Sequence, residues 1–158
     1  TWEDADPVFI LTVWLPLSPA RPENGCLQII PRTHGTGVLA HVIRAGQGTV
    51  IVDEQMPDAE PLTLPMDKGD VLLLHKEIPH RSTSNRSDTV RWSMDLRYQP
   101  TGTPTGRPFH PEFVVRSRAN PDSVLTEWSV WDRLWAEAQA KAAVDKPRGH
   151  RWKSVPAR

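Results

Sequence analysis

The chain has 158 residues, 19 basic and 19 acidic, with a formal net charge of zero. That length suits one domain with a modest core, and balanced charge argues against a nucleic-acid partner, since phosphate binding calls for a basic surplus. No apolar run reaches the roughly 18 residues that a membrane helix requires. The lone Cys26 excludes an internal disulfide framework, so a reduced, cytoplasmic setting is expected.

The elements follow in chain order. Residues 8–17 are a continuous apolar run containing Val13, Trp14 and Leu15, and read as a buried strand ended by Pro16 and Pro19. Arg21-Pro22-Glu23-Asn24-Gly25 is a turn in which Asn-Gly is expected to supply the positive-φ positions. Residues 26–30 form a second strand, stopped by Pro31, and residues 32–41 a polar, glycine-bearing loop. Strands are expected at 48–52, 62–64 and 71–75, with an acidic irregular stretch at 53–61 and a Lys68-Gly69-Asp70 turn. Two more follow at 80–84 and 89–98. Seven short strands with turn chemistry between them predict an antiparallel sandwich or barrel, without the helical crossovers of a parallel sheet.

Residues 100–111 are a Thr/Gly/Pro-rich loop. Beyond Ser123, Trp128, Trp131 and Trp135 recur at helical spacing with Leu134, Ala138 and Ala142. This predicts an amphipathic helix whose apolar stripe packs on the sheet. Residues 1–145 then form one domain and residues 146–158 a basic tail, partly ordered by Trp152.

Chemistry concentrates late in the sheet. Pro79 fixes a rigid approach to His80, and period two puts His80, Ser82 and Ser84 on one side. In the last strand Arg91, Ser93, Asp95 and Arg97 share one face, while Trp92, Met94, Leu96 and Tyr98 share the other. The polar face is either solvated or looks into a site, with the apolar face turned outward against helices. A partly buried Arg91 requires a carboxylate partner, and the candidates are Asp95, Asp70 and a ligand. A neutral imidazole such as that of His80 is a common metal ligand. His34 and His75 are further histidines in reach of a site. No second cysteine supports structural zinc, and no phosphate-cradling glycine loop is present.

An ordered set of segments resembles the phytanoyl-CoA dioxygenase family. The segments are Thr12-Val13-Trp14-Leu15-Pro16-Leu17, Glu23-Asn24-Gly25-Cys26-Leu27-Gln28-Ile29-Ile30-Pro31-Arg32-Thr33-His34, Lys68-Gly69-Asp70-Val71-Leu72-Leu73-Leu74-His75, and His80-Arg81-Ser82 with Arg91. The resemblance implies a double-stranded β-helix, a form of jelly roll. It also implies an iron(II)- and 2-oxoglutarate-dependent dioxygenase that hydroxylates a small-molecule substrate with dioxygen. His80 is then similar to the distal histidine of a two-histidine-one-carboxylate iron site. Arg91 is similar to the arginine that pairs with the remote carboxylate of 2-oxoglutarate, where a planar fork suits a carboxylate. Ser82 resembles the hydroxyl that shares that carboxylate, Trp14 an aromatic wall of the cosubstrate pocket, and Asn24 a further pocket residue.

Two departures stand out. Arg32 replaces the glycine of the family's commoner Pro-Gly-Ser-His. The family's His-x-Asp pair is expected a few positions before Thr1, and Asp4 and Asp6 do not fit it, so this chain would carry one iron ligand of three. Two other readings compete: a metal-free jelly-roll module binding a small ligand or sugar, and a cupin-type metalloenzyme in which His34 or His75 joins His80.

Overall fold

The computed structural model describes residues 7–104 and 110–145, with the backbone of Lys153–Val155. Asp4, Asp6, Trp152, part of the 100–111 loop and the rest of the basic tail lie outside the described residues. The described chain forms two compact units. One comprises Phe9–Gln99 with the strand at Lys153–Val155, and the other comprises Pro7, Val8 and the described part of residues 100–145.

The first unit is built from strands β1 (Leu11–Pro16), β2 (Leu27–Ile29), β3 (His41–Arg44), β4 (Gly48–Ile51), β5 (Leu62–Leu64), β6 (Leu72–His75), β7 (His80–Ser82), β8 (Ser93–Tyr98) and β9 (Lys153–Val155). They form three sheets, ordered β6-β1-β8, β5-β2-β7 and β4-β3-β9. From β5 onward, successive strands alternate between the first two sheets. That alternation is the winding of a double-stranded β-helix, and pairing in both sheets is antiparallel.

Register shows which side chains turn inward. In β1, Thr12, Trp14 and Pro16 are buried and their neighbours are not. Trp14 stands opposite Leu72 on one side and Asp95 on the other, so the inner face of this sheet also carries Leu74, Ser93 and Arg97. In the second sheet, Leu27 pairs with Leu64 and Ser82, and Ile29 with Leu62 and His80. Trp14, Ala20, Cys26 and Leu27 form the core cluster, with Met66 and Leu72 packed against it. Each fully buried large apolar side chain contributes about 1.5–3 kcal/mol by leaving water. The opposite face of the second sheet is a polar ladder, in which Arg81 Nε donates to Gln28 Oε1 at 2.9 Å and Gln28 Nε2 to Thr63 Oγ1 at 2.9 Å.

Two strands depart from the sequence reading. β3 starts at His41, the last residue read as loop, and runs through residues 42–44, which were assigned to no element. It closes a hairpin with β4 through a turn in which Gln47 N–H donates to Arg44 O at 3.0 Å, with Gly46 and Gly48 at positive φ. β9 lies within the stretch read as a tail and pairs parallel to β3.

In the second unit, α1 (Trp128–Asp145) is helical as expected, and its half-buried line matches the expected one except at its first turn. Val130, Leu134, Trp135, Ala138 and Ala142 are half-buried, whereas Trp128 and Trp131 are 76% and 45% exposed. Trp135 meets the Trp131 ring edge-on at 6.3 Å and lies 5.2 Å from the His110 ring.

Candidate active site

Arg91 precedes β8 and reaches over the inner face. Its guanidinium carbon lies 5.3 Å from the centroid of the Trp14 ring, within range of a cation–π attraction. One terminal nitrogen donates to Ser93 Oγ at 3.0 Å and the other to Ser82 Oγ at 3.2 Å. The structure thus brings Trp14, Ser82 and Arg91 together and adds Ser93.

Of the carboxylates considered for Arg91, Asp95 sits 3.5 Å from Arg97. Asp70 accepts from Asp67 N–H at 2.7 Å and closes its own turn. Among the described residues no carboxylate forms an ion pair with Arg91. A half-buried guanidinium held by two hydroxyls and an aromatic face is a site for an added anion.

Beneath it lies Gly25, at φ +92°. A Cβ there would stand 3.0 Å from Thr83 O and 3.9 Å from Arg91 Nε. Asn24 works within the same turn. Its Oδ1 accepts from Arg21 N–H at 2.7 Å and its Nδ2 donates to Pro19 O at 2.9 Å. Both ends of the Asn24 amide are therefore engaged locally, away from the Arg91 fork. The turn also differs from the expected two-residue type. Cys26 N–H donates to Arg21 O at 2.9 Å, and only Gly25 of the Asn-Gly pair takes positive φ. The wider loop leaves Asn24 no need for the left-handed region.

His80 opens β7 on the inner face, two positions from Ser82. Its Nδ1 lies 2.8 Å from Ile78 O. A carbonyl can only accept, so this contact puts the proton on Nδ1 and leaves the Nε2 lone pair for a metal. His80 also lines a cleft of about 80 Å³, together with residues 37–39, His41, Ile51 and residues 76–79.

The two further histidines considered from sequence, His34 and His75, pack on each other. His75 pairs with Leu11, on the opposite face of its sheet from Leu72 and Leu74, and its ring neighbours are Phe9 and His34, each at 5.9 Å. Among the described residues no group of three His, Cys, Asp or Glu side chains could hold a metal. His80 thus fits the part of one ligand, and the described residues do not complete a set.

Sequence reasoning named Ser93 only as part of a polar face and Gly25 only as a turn residue, and it missed the clasp of the 32–37 loop. Glu77 Oε2 accepts from Gly35 N–H at 2.8 Å, joining that loop to the segment that delivers His80. Arg32 has φ +65° and is the one non-glycine at positive φ among the described residues. The position where the family more often has glycine is left-handed in this chain.

Comparison with known proteins bears on the arrangement. The phytanoyl-CoA dioxygenase (PhyH) family model matches residues 1–93. Phytanoyl-CoA dioxygenase domain-containing protein 1 of Danio rerio is 34% identical over 88 residues, covering 52% of this chain and 30% of that protein. The same-named protein of Rattus norvegicus is 33% identical over 125 residues, 66% of this chain and 42% of that one. The 1-deoxypentalenic acid 11-beta-hydroxylase of Streptomyces arenae is 35% identical over 105 residues, 60% of this chain and 37% of that one. The chain spans between 30% and 42% of the length of these relatives. The solved non-heme monooxygenase ThoJ, in its apo form, has the same fold, with a TM-score of 0.59 at 18% identity over 92% of this chain and 61% of that one. By the family match across more than half its length, the chain belongs to the phytanoyl-CoA dioxygenase family.

Proposed function

We propose that the whole protein is an iron(II)- and 2-oxoglutarate-dependent oxygenase that hydroxylates a small molecule with dioxygen. The observation that carries this reading is the Arg91 fork. It is an inward cation on Trp14, flanked by Ser82 and Ser93, with no carboxylate partner among the described residues. A dicarboxylate supplies the missing charge. Family membership and the relatives' names, dioxygenase and hydroxylase, support the same reading.

Each residue has a physical task. Arg91 binds the remote carboxylate of 2-oxoglutarate through two parallel N–H donors. Ser82 and Ser93 orient the fork, and their O–H groups can turn toward the same carboxylate. Trp14, 4% exposed, is a dry floor that strengthens the charge pair by excluding water. His80 offers Nε2 to iron(II), with Ile78 O holding the tautomer. The described residues do not supply the other two iron ligands of this reading. Iron(II), when bound with 2-oxoglutarate, supplies the oxidative decarboxylation that lets dioxygen be used for hydroxylation. Asn24 acts by fixing the turn that keeps Gly25 close beneath Arg91.

The test is succinate release from 2-oxoglutarate by the whole protein. Iron(II)-dependent release that His80→Ala and Arg91→Ala both suppress is the expected result. Release that ignores iron(II), or that Arg91→Ala leaves unchanged, contradicts the reading. A metal-free binding module would bind neither iron(II) nor 2-oxoglutarate.

A further inference from the structure

We infer that the cleft lined in part by His80 receives an uncharged, apolar part of the substrate skeleton, and that Leu39, Ile51 and Ile78 set this preference. The inference rests on the oxygenase reading and deepens it by naming a substrate class. The cleft contains His80, so a group lying in it sits beside the imidazole that would hold the metal. It is distinct from the Arg91 fork, whose residues do not line it.

The lining explains the chemistry. Val38, Leu39, Ile51 and Ile78 are half-buried, and Pro79 behind them is buried, so the walls are mostly hydrocarbon. A polar skeleton would meet hydrocarbon over most of the wall, with His41, Lys76, Glu77 and His80 as the polar side chains of the lining. The charged side chains in the cleft are Lys76 and Glu77, one of each sign, so no net charge selects an ionic group. Orientation comes from the scaffold. Ile51 stands in β4, against which β3 is paired. His41 Nδ1 lies 2.6 Å from Leu39 O, tying residue 39 to the start of β3. Glu77 also accepts from Gly35 N–H, two positions before Gly37 of the lining.

The probes are cyclohexanol and myo-inositol, two six-membered rings that differ in hydroxylation, titrated into the whole protein with labelled Ile, Leu and Val methyl groups. The expected result is that cyclohexanol shifts the methyl signals of Leu39, Ile51 and Ile78 and the ring signals of His80, while inositol leaves them in place. Leu39→Asn and Ile51→Asn should each weaken cyclohexanol about fivefold or more. The unshifted methyl spectrum elsewhere in each variant confirms that it remains folded, and Leu39→Met, which keeps the apolar wall, should retain binding. Equal response to both probes, or none at these methyls, overturns the inference. Calorimetry with 2-oxoglutarate separates the two levels. Intact 2-oxoglutarate binding with no cyclohexanol response refutes the cleft alone, whereas absent 2-oxoglutarate binding refutes the oxygenase reading itself.

Discussion

Strands β1 and β7 face the same interior and treat it in opposite ways. β1 has a partner on each side and alternates half-buried with buried residues, so that Thr12, Trp14 and Pro16 are closed off from water. β7 is three residues long, pairs with β2 alone, and has all three residues exposed. One strand makes the floor and the other presents side chains. A ligand-binding imidazole and hydroxyl cannot be sealed in a core, because an unpaired buried polar group is costly. They stand where the sandwich is open, over a floor rigid enough to hold Arg91 in place.

The sharpest way to break this contrast is at the floor. Trp14→Ala should destabilise the fold by about 3–5 kcal/mol, the usual range for removing a buried aromatic, as read by denaturant unfolding. Ser82→Ala, on the exposed strand, should stay within about 0.5 kcal/mol. Equal losses in the two variants would erase the distinction.

The next effect belongs to binding. Arg91→Ala should weaken 2-oxoglutarate by roughly 10²–10³-fold, since hydrogen bonds to a charged group contribute about 1.5–3 kcal/mol each. Stability should move by less than about 1 kcal/mol. Arg91→Lys keeps the charge but not the fork and should recover only part of the affinity. Titration calorimetry and unfolding curves on the same samples separate the two quantities.

A smaller effect is expected between floor and fork. Gly25→Ala places a methyl 3.0 Å from Thr83 O at a φ of +92°. It should cost about 1–2 kcal/mol and lower 2-oxoglutarate affinity as well, because the turn supports Arg91. A stable Gly25→Ala variant with full affinity would show that the turn is not a support.

The smallest effect sharpens the boundary of the site. Arg32 has φ +65°, so Arg32→Gly relieves strain while adding unfolded-chain entropy. The net change should lie within about 1 kcal/mol, whereas Arg32→Val should lose roughly 1–2 kcal/mol. Melting temperatures of the three proteins would rank them.

Much of the fold was legible because period two is a strong signal where one face is buried. Trp14 and Leu72 announced their strands by apolar runs, and the polar side of β8 could be read from parity alone. β3 was missed because His41-Val42-Ile43-Arg44 is short and has a polar residue at each end, and none of the four is fully buried. β9 was missed because Lys153-Ser154-Val155 sits in a basic, proline-bearing stretch and lacks the apolar-polar-apolar alternation of Leu62-Thr63-Leu64. The helix was legible, and so was most of its packed line: Leu134, Trp135, Ala138 and Ala142 are half-buried as expected, whereas Trp128 and Trp131 are exposed and Val130 takes a place in the line. Tryptophan spacing signals a face without saying what covers it.

At the site, the residues identified from the family pattern were His80, Arg91, Ser82, Trp14 and Asn24. Sequence could not show that Asp95 would go to Arg97, which leaves Arg91 without that partner. Nor could it show that Asn24 would close its own turn, since an Asx side chain serves a backbone or a ligand equally well.

The most direct measurement of the central claim is a calorimetric titration of 2-oxoglutarate into the whole protein, with and without manganese(II) as a redox-inert stand-in for iron(II). The wild type should bind 2-oxoglutarate more tightly with metal than without. His80→Ala should remove that metal-dependent gain, and Arg91→Ala should weaken binding in both conditions. Affinity indifferent to both substitutions would contradict the account, because the imidazole and the guanidinium would then not hold the same ligand.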